Sequence, residues 1–342
     1  MSMRKTLIAF GNPLLDITVT SKQHVLYLLG KYNLKLDGQK EITKTEMTSL
    51  TEDIRGYEQY ISPGGCSQNS LRVLQWVLKQ ECQATMFGSV GNDVEANILR
   101  EALKVAGVQA SYITQEDLPT GKIIALVSGF DRFLVAHIGA AEVLPLAILL
   151  ANSDFMLLFN SSDIILIEAY FLTNRIETAC KLGELCQKSS KTLVFNLCGE
   201  YIFEVVPQQI KCLVKAANLI FGNRAEFLAL AKLFTCANLD DLAEDLQGKT
   251  LVVTDGPRVL ICYNLNGEKI EIVPPVMQIE EVKDTTGAGD AFMGGFLAGM
   301  VKSKALRDCI EIGFYAASCI MKECGCSLPR YKPQIDFDGL IQ

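Results

Sequence analysis

Short, continuously apolar runs alternate with longer helical patterns along most of this 342-residue chain, and that alternation limits the possible folds more than any other feature. Ile164-Ile165-Leu166-Ile167 and Leu251-Val252-Val253 lack the polar alternation of a half-buried strand. They read as central strands of a parallel sheet covered on both faces. The full set of expected strands is 6–10, 84–90, 163–168, 192–197, 218–221 and 250–254. Helical spacing is expected over 67–79, 94–106, 175–188, 225–233 and 239–246. This rhythm predicts an α/β fold with a central, mostly parallel sheet flanked by helices. Two segments break it. Residues 17–62 are polar and turn-rich, and residues 112–138 hold two extended runs around Gly129-Phe130-Asp131-Arg132, the pattern of a hairpin.

Hydrophobic residues make up 49% of the chain and charged residues 21%, which suits a sizeable core. A net charge of −7 argues against a nucleic-acid surface. The most apolar stretch, 143–159, is interrupted by Pro145, Asn152, Ser153 and Asp154, so no membrane span is expected. Twelve cysteines and two histidines contain no Cys-x-x-Cys pair, and Cys324-Gly325-Cys326 is too tightly spaced for a zinc site. The first apolar run, 7–10, stops at Gly11-Asn12-Pro13, unlike a secretory leader. Reduced cysteines and a cytoplasmic location are therefore expected.

Chemistry concentrates at Asp284-Thr285-Thr286-Gly287-Ala288-Gly289-Asp290-Ala291-Phe292. Phe292, Phe296 and Met300 follow at helical spacing, so the glycines fall at a helix start, where unpaired N–H groups form an anion site. Asp290 in that first turn reads equally well as a dipole-favouring acid or as a proton acceptor. Gly11-Asn12-Pro13-Leu14-Leu15-Asp16 follows the first strand, where ligands collect in α/β sheets. Pro63-Gly64-Gly65-Cys66-Ser67-Gln68-Asn69 opens another helix, and Asn223-Arg224-Ala225-Glu226 has the spacing of a capping box.

Taken together, these strings resemble the ribokinase-like carbohydrate and nucleoside kinases, from Gly11 to Pro329. Gly-Asn-Pro-Leu-Leu-Asp and Gly-Gly-x-x-Gln-Asn are similar to its adenosine-phosphorylating branch. The resemblance implies an ATP- and Mg²⁺-dependent phosphotransferase that converts adenosine to AMP. Gly287, Ala288 and Gly289 would form the anion hole and Asp290 would be the base, with Arg132 closing on the phosphates. Asn12, Asp16, Gly64, Gly65 and Asn69 would hold the ribose and Phe171 the purine. Thr254, Gly256, Thr285, Asn223 and Glu226 would face the nucleotide, the last two meeting Mg²⁺ through water. The family pattern also implies a single kinase domain over 1–342, a small β-rich lid at 17–62 and 112–138, and a monomer. Another nucleoside or sugar kinase, or a silent purine-nucleoside binding protein, would share the glycine turn.

Overall fold

Alternate side chains of the strand Thr6–Phe10 face different helical layers: Leu7 and Ala9 enter one core, Ile8 and Phe10 the other. This is the two-sided burial expected of a central parallel strand. The computed structural model describes residues 5–34, 38–128 and 131–337. Its large sheet has nine strands, in the spatial order Lys269–Ile272, Leu260–Tyr263, Thr250–Thr254, Leu219–Asn223, Thr192–Asn196, Ile164–Glu168, Thr6–Phe10, Gln83–Gly91 and Val108–Gln115. Leu260–Tyr263 pairs antiparallel on both sides, and every other pairing is parallel.

From Thr6–Phe10 the chain builds outward to Gln83–Gly91 and Val108–Gln115, then returns to add Ile164–Glu168 on the opposite flank. That reversal opens a crevice at the carboxyl ends of the strands Thr6–Phe10 and Ile164–Glu168. Helices Cys66–Val77, Val94–Val105, Ala288–Val301 and Leu306–Ile320 cover one face. Ser153–Ser161, Ile176–Lys188, Pro207–Ala216 and Arg224–Leu233 cover the other.

A second sheet of five strands runs Gln39–Glu41, Asp131–His137, Gly121–Ser128, Leu14–Val19 and Gln59–Gly64. It has its own core, in which Ile17, Val19, Leu126 and Phe133 pack on Leu28, Met47 and Leu50. The last three come from two helices, Lys22–Lys31 and Lys44–Ile54, within a stretch expected to be turn-rich. Lys44–Ile54 starts with a capping box, Thr43 with Glu46, which satisfies its first N–H groups and outweighs its polar composition. The hairpin forms as expected, although its turn, 129–130, lies outside the described residues. Residues 112–115 pair along the edge of the large sheet instead of joining the small one, which takes up the chain at Gly121.

Among the described residues no helix is long and apolar enough to cross a membrane. The twelve cysteines are free.

Candidate active site

Gly287 adopts φ 76°, a left-handed conformation that suits glycine, and it caps the helix Ala288–Val301. A Cβ there would press on Cys326, whereas one on Gly289 would meet nothing within 4 Å, so the first turn opens onto free space. Asp284 fixes the approach to this turn: it accepts the Thr286 and Gly325 N–H groups, each at 2.8 Å. Thr285 is exposed beside it. Asp290 sits half-buried in the first turn and accepts from Asn69 Nδ2 at 3.0 Å. The Ser70 hydroxyl, one residue on, donates to the Asp290 carbonyl at 3.0 Å. Burial outweighs the Asn69 bond and pushes the Asp290 carboxyl up to about 7, with Glu168 and Glu226 adding to the shift.

Asp16 is the second carboxyl at this point. Burial, then the charge of Asp290, raises it to about 7, and Arg72 opposes the shift. Its Oδ1 is buried without a hydrogen-bond partner, so a donor is needed there. Gly64 lies against this carboxyl so closely that any Cβ would overlap it. Gly65 has φ 92°, and a Cβ there would overlap the carbonyl oxygen of Asn12. The two glycines thus bring the Cys66–Val77 helix onto the loop after Thr6–Phe10. Asn69 is buried, with Oδ1 accepting from Arg72 Nη1 at 3.2 Å while its amide holds Asp290. Asn12, Asp16, Gly64, Gly65 and Asn69 are therefore brought together next to Gly287, Ala288, Gly289 and Asp290.

Three charged residues that hold this cluster were not expected. Glu168, fully buried at the end of Ile164–Glu168, accepts the Asn12 N–H at 2.8 Å and the Ser67 N–H at 2.7 Å. It bridges the crevice and pins both ligand loops, and these bonds oppose the upward shift that burial imposes on its carboxyl. Arg175, only 3% exposed, donates to Asn12 Oδ1 at 2.7 Å and to the carbonyls of Tyr170 and Phe171. Burial lowers its guanidinium to about 10. Arg72 ties Asn69 to the Cys326 carbonyl at 3.0 Å. The sequence signal for Glu168 was an acid closing a continuously apolar strand.

Phe171, expected at the purine, is wholly buried: it packs 5.9 Å from Phe10 beneath the Arg175 guanidinium. The short 3-10 turn Ala169–Leu172 sends it into the core and presents its neighbour Tyr170, stacked on Tyr201, to the cleft. Arg132 pairs by its backbone with Val127 at the start of the strand Asp131–His137, and its side chain lies outside the described residues.

Asn223 and Thr254 pair across adjacent strand ends, and Gly256, at φ 56°, follows. Asn223 and Glu226 complete the expected capping box, with both Glu226 oxygens accepting from Asn223 at 2.8 Å. Burial raises Glu226 to about 7. Among the described residues no group of three or more His, Cys, Asp or Glu side chains could hold a metal directly. The Glu226 carboxyl, with each oxygen already accepting from Asn223, suits contact with a hydrated ion through that ion's waters.

A family model described as the pfkB family of carbohydrate kinases matches residues 36–333. An adenosine kinase of Dictyostelium discoideum is 31% identical, the match covering 98% of this chain and all of that protein. An adenosine kinase of Saccharomyces cerevisiae is also 31% identical, over 96% of this chain and 98% of that one. Among solved structures, the Anopheles gambiae adenosine kinase in complex with P1,P4-di(adenosine-5) tetraphosphate superposes with a TM-score of 0.85. It is 28% identical and covers 95% of this chain and 98% of its own.

Proposed function

The chain belongs to the pfkB family of carbohydrate kinases, and from that premise we propose that it transfers the γ-phosphoryl group of ATP to the 5′-hydroxyl of adenosine, giving AMP and ADP. The observation that carries this reading is the 3.0 Å bond from Asn69 to Asp290, which joins the acceptor-side residues to the carboxyl at the glycine turn. Ribose hydroxyls supply the donors that the Asp16 carboxyl lacks, and Asn12, Gly65 and Asn69 set their position. The 5′-hydroxyl then faces Asp290, which takes its proton as the bond to phosphorus forms. With a carboxyl near neutrality, Asp290 is basic enough to accept a proton yet ionised in a useful fraction of molecules. The N–H groups of Gly287 and Gly289, with that of Ala288 exchanging its 3.2 Å bond to the Thr285 carbonyl, stabilise the charge on the transferred oxygens. Thr254, Gly256 and Thr285 border the nucleotide. Mg²⁺, arriving with ATP and met through water by Asn223 and Glu226, would neutralise phosphate charge.

The same reading makes the small sheet a lid, with Arg132 at its tip, on a cytoplasmic monomer. Adenosine at saturation is expected to slow amide exchange across residues 14–64 and 121–137; unchanged exchange there would count against closure. The function itself is tested by ADP release from ATP and Mg²⁺ with adenosine, inosine, guanosine, ribose and fructose. Turnover selective for adenosine is the expected result. A preference for a sugar would overturn the ribose-site assignment, and silence with every acceptor would overturn the kinase reading.

A further inference from the structure

A cavity of about 420 Å³ lies between the two sheets. Much of its wall is apolar or aromatic: Leu14, Ile123, Leu134, Ile138, Tyr170 and Tyr201. Such a wall suits a flat heterocycle. Its polar groups separate into donors and acceptors. Asn12 and Arg175 lie where the nucleoside's sugar is placed above, and Nη1 of the deeply buried Arg175 has no partner in the protein. An acceptor atom on the ligand is the natural complement. Gln39, Lys40 and Thr173 also reach the wall, and its carboxylates are Glu41, closing the edge strand Gln39–Glu41, and Glu142, closing the 3-10 turn Gly139–Glu142.

Glu41 belongs to the small sheet and Glu142 to the turn that leaves it, and both line the cavity wall. Burial, then the charge of Glu142, holds the Glu41 carboxyl above the usual carboxylate range, with His137 opposing. Asn174 donates to Glu142 Oε2 at 3.3 Å. Two carboxyl groups at one wall present mainly acceptors to whatever enters.

We propose that Glu41 and Glu142 read the base, selecting a nucleoside whose heterocycle carries an exocyclic amino group and rejecting one with a carbonyl in its place. The inference rests on the nucleoside-kinase reading and adds to it the residues that discriminate among bases. An amino group donates to the carboxyl oxygens, whereas a carbonyl sets lone pairs against lone pairs in a partly desolvated site. Sites built around a required donor reject the analogue that lacks it far more strongly than apolar pockets reject a size change.

The test uses the full chain as wild type, Glu41→Gln, Glu142→Gln and the double variant. Adenosine and inosine binding is measured by titration calorimetry beside turnover of each. Glu41 is exposed and Glu142 half-buried, so the substitutions spare the core. A glutamine amide can donate to the inosine carbonyl. The expected result is a strong wild-type preference for adenosine that each variant narrows by at least about tenfold, with inosine gaining as adenosine loses. Structural damage would weaken both nucleosides alike. Equal adenosine-to-inosine ratios in all four proteins would overturn the proposal. Discrimination in binding that follows the variants, in a chain that never releases ADP, would uphold the base-reading pair while sinking the kinase reading.

Discussion

Asp290→Asn is expected to lower kcat by about 10²–10⁴-fold while making the free protein more stable above neutral pH. The amide keeps the shape of the carboxyl and still accepts from Asn69, so the fold is retained and only the capacity to take a proton is lost. The stability effect follows from desolvation. In the native chain the Asp290 carboxyl titrates near 7, chiefly because burial penalises its charge. In the unfolded chain it ionises near 4. Between those values the unfolded state has released its proton and the folded state has not, so stability falls as pH rises from about 4 to about 7. Above 7 the native protein carries the whole penalty; the variant carries none. A gain on the order of 2 kcal/mol is expected at pH 8 and roughly a third of that at pH 5, where only the unfolded carboxyl has ionised. Removing the Asp290 charge also relieves Asp16, whose carboxyl that charge helps to hold up. ADP release and urea unfolding at both pH values check the two halves separately. Near-normal turnover would remove Asp290 from the chemistry, and an equal stability difference at both pH values would mean that its charge is not the destabilising feature.

Gly65→Ala should be the most damaging small substitution in the acceptor loops. At φ 92° an alanine is strained by roughly 1–3 kcal/mol, and its Cβ would also overlap the carbonyl oxygen of Asn12. Asn12 cannot withdraw freely, because its N–H is held by Glu168 and its side chain by Arg175. The variant is expected to lose about 3 kcal/mol or more in denaturant unfolding and to raise the KM for the nucleoside. Gly30→Ala is the matched control. It lies in the helix Lys22–Lys31 with nothing within 4 Å of a built Cβ, so it should gain up to about 1 kcal/mol. A Gly65→Ala protein as stable as wild type would refute the tight approach of the helix Cys66–Val77 to the Asn12 loop.

The parallel sheet was readable because its strands are buried on both faces and so appear as unbroken apolar runs, as at 164–167. The glycine turns were readable because local backbone geometry demands those residues at those points. What escaped was long-range. Glu168 bonds partners 156 and 101 residues away, and nothing adjacent to it in the chain foretells either. Arg72 and Arg175 carry no local signal of their role, and only the packed fold gives their buried donors carbonyls to meet. Tyr170 and Phe171 are neighbours in a single 3-10 turn, and the choice of which ring faces the cleft is made by the core that receives the other. The helix Lys44–Ile54 was missed for a different reason. Thr43 and Glu46 carried a usable local signal, but the surrounding polar composition masked it.

Every passage of chain between the two sheets falls along one row of the small sheet. Leu14 pairs with both Gly64 and Gly121, and Lys122 next to it pairs with His137. Such a row is a fulcrum. Asn12, Asp16 and Gly65 sit on it or within two residues of it, so tilting the sheet scarcely displaces them. The hairpin tip lies six residue steps along the strand from Lys122 to Ser128, a lever arm of about 20 Å. On the proposed lid reading, a tilt too small to disturb the sugar contacts would sweep the start of the strand Asp131–His137 through several ångströms. The acceptor would then be engaged before the tip arrives.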